Sequence, residues 1–171
     1  MKIGRITVSD RASAGVYADR SGPEIERVLR DVFGADAQFV AAVIPDEQEQ
    51  IAAKLREFAD RAQCALIVTT GGTGISDRDV TPEATRAVLE KELPGFGEVL
   101  RVRSFAKTPA AVLSRATAGT RGRSLIVNLP GKPAAVAECL ALLAGAMREG
   151  VAHLREDDPH ANSASPGTGH R

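Results

Sequence analysis

A three-layer α/β/α domain built on a mostly parallel sheet is the fold class that the sequence predicts, and three observations carry it. Strand-like and helix-like segments alternate in the order β-α-β-α-β-α-α-β-α, which lays helices on both faces of one sheet. The run Leu66-Ile67-Val68 is apolar and β-branched without alternation, which reads as a buried central strand. The glycine, proline and acidic motifs fall at strand exits, where the ligands of such sheets bind.

In chain order, Ile3-Gly4-Arg5-Ile6-Thr7-Val8 is rich in β-formers and leaves through the polar exit Ser9-Asp10-Arg11. A helix is expected from about Ser21, because Ile25, Val28, Leu29, Val32 and Phe33 recur at helical spacing, and Gly34 ends it. Residues 39–44 form the second strand, cut by Pro45. Asp46 stands where the N-cap of a helix over residues 47–62 belongs. That helix is expected to bury Ile51, Leu55, Phe58, Ala59 and Ala62, while Glu47, Glu49, Lys54, Arg56 and Glu57 face water. The third strand is the central run. Thr81 reads as the cap of the next helix, with Pro82 at its first position, where a missing N–H leaves nothing unpaired. Pro94-Gly95 breaks that helix, and another covers Phe96 to about Phe105. Lys107 to Arg123 fits a short irregular or hairpin excursion. Leu125-Ile126-Val127-Asn128-Leu129 is the fourth strand, ended by Pro130-Gly131. A last helix from about Pro133 is expected to bury Val136, Leu140, Leu143, Ala144 and Met147. From Glu156 onward periodicity stops, so a single domain over residues 1–155 and a disordered tail over 156–171 are expected.

Composition narrows the function classes. The 171 residues are 43% hydrophobic and 26% charged, in the ordinary globular range. Twenty-two Lys and Arg balance 22 Asp and Glu, and one Tyr with no Trp leaves few rings for stacking bases, so nucleic-acid binding is not expected. Cys64 and Cys139 are far apart and form no CxxC, which favours buried reduced thiols over a zinc site or disulfide. No secretory h-region opens the chain, and no apolar run approaches the ~20 residues that span a bilayer, so a cytoplasmic protein without membrane attachment is expected.

The chemistry concentrates in Thr69-Thr70-Gly71-Gly72-Thr73-Gly74 and the acids Asp77 and Asp79 that follow. Glycines leave backbone N–H groups to face a ligand, the threonine hydroxyls add donors, and a helix start follows; together these suit a polyanion carrying a metal ion. A plain strand-to-helix turn is the alternative. The segment is neither a P-loop, since Gly131-Lys132 runs into Pro133, nor a dinucleotide fingerprint, since Gly74 is followed by Ile75-Ser76-Asp77. Asp79 and Asp46 each have a capping reading. Yet both leave strand ends on the glycine loop's side, and two carboxylates beside a phosphate cradle suit Mg²⁺. Asp77 reads as solvated. Ser9-Asp10-Arg11 offers a hydroxyl, an acid and a guanidinium, or else a surface turn. Pro130-Gly131 either ends a strand or also brings backbone close to a flat ring. His153, His160 and His170 lie at or beyond the last helix and make neither a metal cluster nor a base. Ser114, beside Arg115, carries no signal of its own.

Taken together, Thr69-Thr70-Gly71-Gly72-Thr73-Gly74, Arg78-Asp79-Val80-Thr81-Pro82-Glu83-Ala84-Thr85 and Leu129-Pro130-Gly131-Lys132-Pro133 resemble the molybdenum-cofactor biosynthesis (MogA/MoaB) family. Val8-Ser9-Asp10-Arg11-Ala12-Ser13-Ala14-Gly15-Val16-Tyr17, Ile44-Pro45-Asp46-Glu47 and Leu93-Pro94-Gly95-Phe96-Gly97-Glu98 look more specifically like its bacterial adenylyltransferase branch. The likeness runs in order from about Ile3 to about Gly150.

The resemblance implies a three-layer α/β fold, usually trimeric. It also implies a reaction: Mg²⁺-ATP plus molybdopterin giving adenylyl-molybdopterin and pyrophosphate, ahead of a molybdenum insertase. Position by position, Asp46 and Asp79 match two catalytic acids, Thr70 to Gly74 a phosphate-binding loop, and Ser114 a serine associated with the pterin phosphate. The substrate-binding set is then Ser9, Asp10, Thr70, Gly71, Gly72, Thr73, Gly74, Ser114, Pro130 and Gly131, with Asp79 and Asp46 toward Mg²⁺. Two other readings compete: a nucleotide hydrolase of the competence/damage-inducible type, which the segment from Ser9 to Tyr17 and the motif from Pro94 to Glu98 argue against, and a non-catalytic pterin-binding scaffold, which would not need both acids.

Overall fold

The strand β3 (Leu66–Thr70) is buried at all five positions and pairs in parallel with β1 (Lys2–Val8) on one side and β6 (Ser124–Leu129) on the other. A computed structural model describes residues 1–155 and builds a six-stranded mixed sheet around this strand. β2 (Gln38–Ile44) adds in parallel outside β1; β5 (Ala118–Arg121) and the two-residue β4 (Lys91–Glu92) complete the other edge antiparallel. The order is β2-β1-β3-β6-β5-β4.

Because successive side chains of a strand point to opposite faces, each central strand feeds two cores. Leu66 and Val68 of β3, with Leu125 and Val127 of β6, pack under α2 (Ser21–Phe33) and α6 (Pro133–Arg155) through Ile25, Leu29, Leu140 and Met147. Ile67 and Ile126 point the other way, into Ile51, Leu55, Phe58 and Val88 of α3 (Gln48–Arg56) and the segments after it. That alternation makes three layers, as the sequence predicts.

Several boundaries differ from expectation. The 47–62 helix is α-helical only to Arg56 and closes in a π-helical turn, Glu57–Arg61, which leaves Ala62 half-buried. Its N-cap is Glu47, not Asp46, because the Asp46 carboxylate is turned back toward Asp10. In α4 (Thr81–Arg86) the N-cap is Val80; Thr81 and Pro82 take the first two helical positions. α5 (Gly95–Phe105) starts one residue early. The excursion over residues 107–123 resolves into a 3₁₀ turn, Pro109–Leu113, and β5, which forms a hairpin with β6 around Gly122 and Arg123. β4 and the four-residue α1 (Asp10–Ser13) are unexpected, being too short for any periodicity to show. Ala144 of α6 is half-buried rather than core. Cys64 and Cys139 are buried free thiols, pushed up to about 11 by desolvation. No described helix is long and apolar enough to cross a membrane. The tail expected over 156–171 lies outside the described residues.

Candidate active site

Four parallel strands deliver their carboxyl ends to one edge of the sheet, and the segments leaving them enclose a cleft of about 620 Å³. Of the sequence-predicted residues, Ser9 leaves β1, Asp46 leaves β2, Thr70, Gly71, Gly72 and Asp79 leave β3, and Gly131 leaves β6; all of them line it. Asp10, Thr73, Gly74, Pro130 and Ser114 are not in its wall. The cleft is also lined by residues the sequence reading did not place in the site: Arg20 and Ser21 at the start of α2, and Lys132 and Pro133 at the start of α6. Two helix N-termini and two cations thus share the cleft with the acids and offset their charge. Ser21 Oγ donates to the Gly131 carbonyl at 2.6 Å and ties the two starts together.

The glycine loop owes its shape to crowding. Gly71 and Gly72 have φ of 95° and 64°, a region that penalises any side chain. A Cβ on Gly71 would lie 2.3 Å from the Val8 carbonyl oxygen; one on Gly72 would lie 2.4 Å from Thr81 Oγ1 and 3.0 Å from Asp46 Oδ1. The expectation that all the loop amides are free needs correcting: Gly71 N–H donates to the Leu129 carbonyl at 3.2 Å. The amides of Gly72, Thr73 and Gly74 find no protein acceptor among the described residues. The Thr70 hydroxyl donates to the Pro130 carbonyl at 2.7 Å and that of Thr81 to the Gly71 carbonyl at 2.9 Å, so both build the loop.

Neither acid caps a helix. Asp79 Oδ2 accepts from the Ser76 amide at 2.9 Å, a turn inside the loop, and a Cβ on Gly74 would sit 2.8 Å from the same oxygen. Asp46 Oδ2 accepts from the Asp10 amide at 2.8 Å, and the Asp46 amide donates to Asp10 Oδ1 at 2.9 Å. Arg78 grips Asp10 through two bonds of 3.0 and 2.9 Å and reaches Glu47 at 3.0 Å. These contacts separate the two carboxyls. Burial raises the Asp46 carboxyl above its ordinary range, and the charges of Asp10 and Asp79 add to the rise against the Asp10 N–H and Arg78. Asp10 is lowered, first by the Arg78 guanidinium and then by the Asp46 amide.

Two anchors, the half-exposed Arg115 and the buried Asn128, escaped the sequence reading. Arg115 Nε donates to the Gly74 carbonyl at 2.6 Å, its other nitrogens reach the Asp79 carbonyl and the Glu83 carboxylate, and its amide donates to the Thr73 carbonyl at 2.9 Å. It thus holds both ends of the acid-bearing loop, and it adjoins Ser114. Asn128, 1% exposed, donates at 2.9 Å to both Thr69 Oγ1 and Thr85 Oγ1, pinning the end of β3 to α4. A polar residue inside the apolar run Leu125 to Leu129 was the available signal; Arg115 had none.

The donor set has a recognisable character. No cluster of three or more His, Cys, Asp or Glu that could hold a metal occurs among the described residues. Two carboxylates opening on one cleft fit a hard cation such as Mg²⁺, which takes one or two protein carboxylates and completes its shell with phosphates and water.

Residues 4–149 match the family described as "Probable molybdopterin binding domain". The chain is 50% identical over 138 residues to a molybdopterin adenylyltransferase of Helicobacter pylori, covering 81% of this chain and 78% of that one. It is 45% identical over 140 residues to a molybdopterin adenylyltransferase of Escherichia coli, covering 82% and 72%. Among solved structures it is similar to the molybdopterin biosynthesis enzyme MoaB from Thermus thermophilus, with a TM-score of 0.81 and 41% identity over 90% of this chain and 95% of that one. On these matches, the chain belongs to the MogA/MoaB family of molybdopterin-binding proteins of molybdenum cofactor biosynthesis.

Proposed function

We propose that this protein is a molybdopterin adenylyltransferase, transferring AMP from Mg²⁺-ATP to molybdopterin to give adenylyl-molybdopterin and pyrophosphate. The observation that carries the reading is the meeting of Asp46 and Asp79, from separate strand exits, beside the glycine loop in one cleft. Relatives at 45–50% identity bear the same enzyme name.

A phosphate oxygen of molybdopterin attacks the α-phosphorus of ATP. The P–O bond to the β-phosphate breaks, and its electron pair leaves with pyrophosphate. Both reactants are anions, so the protein's work is to hold them together in line. The Gly72, Thr73 and Gly74 amides are suited to hold phosphate oxygens, and Arg20 and Lys132 offset charge within the cleft. Asp79 and Asp46 would hold Mg²⁺, which when bound screens the phosphates from one another. Asp46 orients the nucleotide. Ser9 and Gly131 line the cleft, Asp10 and Pro130 brace Asp46 and Thr70 beside it, and Ser114 is assigned to the pterin phosphate beside the Arg115-anchored loop.

The unit that does this is residues 1–155. We infer homotrimeric assembly, supported by exposed apolar side chains on α5 and the 3₁₀ turn, among them Val102, Phe105 and Val112. The setting is cytoplasmic, in keeping with two buried free thiols, and the product passes to a molybdenum insertase. The test is whether purified protein consumes Mg²⁺-ATP only when molybdopterin is present. ATP hydrolysis without pterin would indicate the hydrolase chemistry, and pterin binding without turnover a scaffold.

A further inference from the structure

Among the described residues Tyr17 is the one aromatic side chain in the wall of the cleft, and no part of the phosphate chemistry uses it. It sits on the exposed strap between α1 and α2, with 49% of its surface open. A large ring left half-exposed at a cleft gains by covering that surface with a flat partner. The ring is held rather than loose: Tyr17 Oη lies 2.9 Å from Ser9 Oγ, and Ser9 Oγ in turn accepts from the Ala12 amide at 3.2 Å to cap α1. The Arg11 guanidinium lies over one face, 5.4 Å from the ring centroid. On its other side the strap is fixed through Asp19, whose carboxylate accepts from Arg5, Thr7 Oγ1 and the Gly22 amide at 2.9, 2.9 and 3.0 Å. An aromatic ring therefore lines the cleft from a segment that also carries Asp10, and through Asp10 meets Asp46.

From this geometry we infer that Tyr17 is the stacking platform for the flat heteroaromatic ring of a cleft ligand, the adenine of the nucleotide or the pterin. The inference rests on the functional reading above, because that reading supplies two ligands that each carry such a ring. Stacking needs the ring and not the phenol, so Tyr17→Phe and Tyr17→Ala separate it from a role of the Ser9 hydrogen bond. Base-on-aromatic stacking corresponds to a loss of affinity on the order of tenfold when the ring is removed.

The chain has one Tyr and no Trp, so its tyrosine emission reports Tyr17 alone. Wild type, Tyr17→Phe and Tyr17→Ala would be titrated with a non-hydrolysable ATP analogue plus Mg²⁺, and separately with neopterin phosphate, by calorimetry; wild type would also be followed by tyrosine emission. Quenching by one ligand, a roughly tenfold weaker Kd for that ligand in Tyr17→Ala and near-wild-type affinity in Tyr17→Phe are expected, and the quenching ligand identifies the ring. Binding without quenching, an unchanged Kd in Tyr17→Ala, or Tyr17→Phe as weak as Tyr17→Ala would each overturn the inference. Failure of wild type to bind either ligand by calorimetry would overturn the functional reading, and this inference with it.

Discussion

Asp10 and Asp46 hold one another through their backbones: each carboxylate accepts the other residue's amide, at 2.8 and 2.9 Å. The pair joins the exits of β1 and β2, and Arg78 clamps Asp10 from the acid-bearing loop. One carboxylate is thereby kept charged and tied down, while its neighbour, farther into the cleft, becomes harder to ionise. The arrangement makes Asp46 the group whose charge state can follow what enters the cleft.

Arg78 is accordingly a positioning residue. Arg78→Ala frees Asp10 and removes a charge that lowers the Asp46 carboxyl, so adenylylation is expected to fall on the order of tenfold with the fold retained. The acid limb of the pH–rate profile should also move to higher pH; a fall in rate with an unmoved profile would indicate a merely structural contact.

The raised Asp46 carboxyl sets a pH dependence. On the proposed role of Asp46 toward Mg²⁺, which requires the carboxylate, Mg²⁺-nucleotide affinity is expected to weaken as pH falls through a value above the ~3.9 of an ordinary aspartate. Stability runs the other way for this group. A folded-state pKa above the unfolded one adds stability below the unfolded pKa, and this is lost as pH rises through the folded value. Asp46→Asn, which keeps an acceptor for the Asp10 amide, should therefore be at least as stable as wild type at pH 7, with the difference shrinking toward pH 4. Urea unfolding at both pH values measures it. Asp10 keeps its Arg78 contacts in both proteins.

Asn128 is the polar pin beneath the loop. Replacing it with Ala leaves buried Thr69 and Thr85 hydroxyls without their donor and the Thr117 amide without an acceptor. A loss of about 2–4 kcal/mol by urea unfolding is expected, with weakened nucleotide binding because β3 and α4 no longer fix the loop between them.

Gly71 and Gly34 separate strain from collision. Both have positive φ, but a Cβ at Gly34 meets nothing within 4 Å, whereas one at Gly71 meets the Val8 carbonyl. Gly34→Ala should cost about 1 kcal/mol and leave activity intact. Gly71→Ala should cost more and abolish nucleotide binding, since the loop must move away from β1; calorimetry on both variants checks the contrast.

The sequence made the scaffold legible wherever packing was periodic. The stripe from Ile25 to Phe33, the central run and the core of α6 apart from Ala144 fell where expected, because burial on a helix face or in a covered strand leaves a pattern along the chain. It was silent where geometry is made by distant partners. Asp46 looks like an N-cap because an acid stands ahead of a helix; only the fold brings the Asp10 amide, 36 residues away, to claim its carboxylate. Arg115 looks like an arginine in an irregular segment, yet it reaches back 41 residues to Gly74. The strap carrying Tyr17 was legible only as part of a family-like segment, since no spacing rule places a ring over a cleft.

The most direct test is pyrophosphate release from Mg²⁺-ATP in the presence of molybdopterin, comparing wild type with Asp79→Ala, each checked by circular dichroism. Asp79 makes a turn inside the loop and caps no helix, so its loss should leave the fold in place. Pyrophosphate from wild type, and a rate lower by about a hundredfold or more in a folded Asp79→Ala, is the predicted result. Near-normal turnover in that variant would contradict the assignment of the acid pair as the heart of the site.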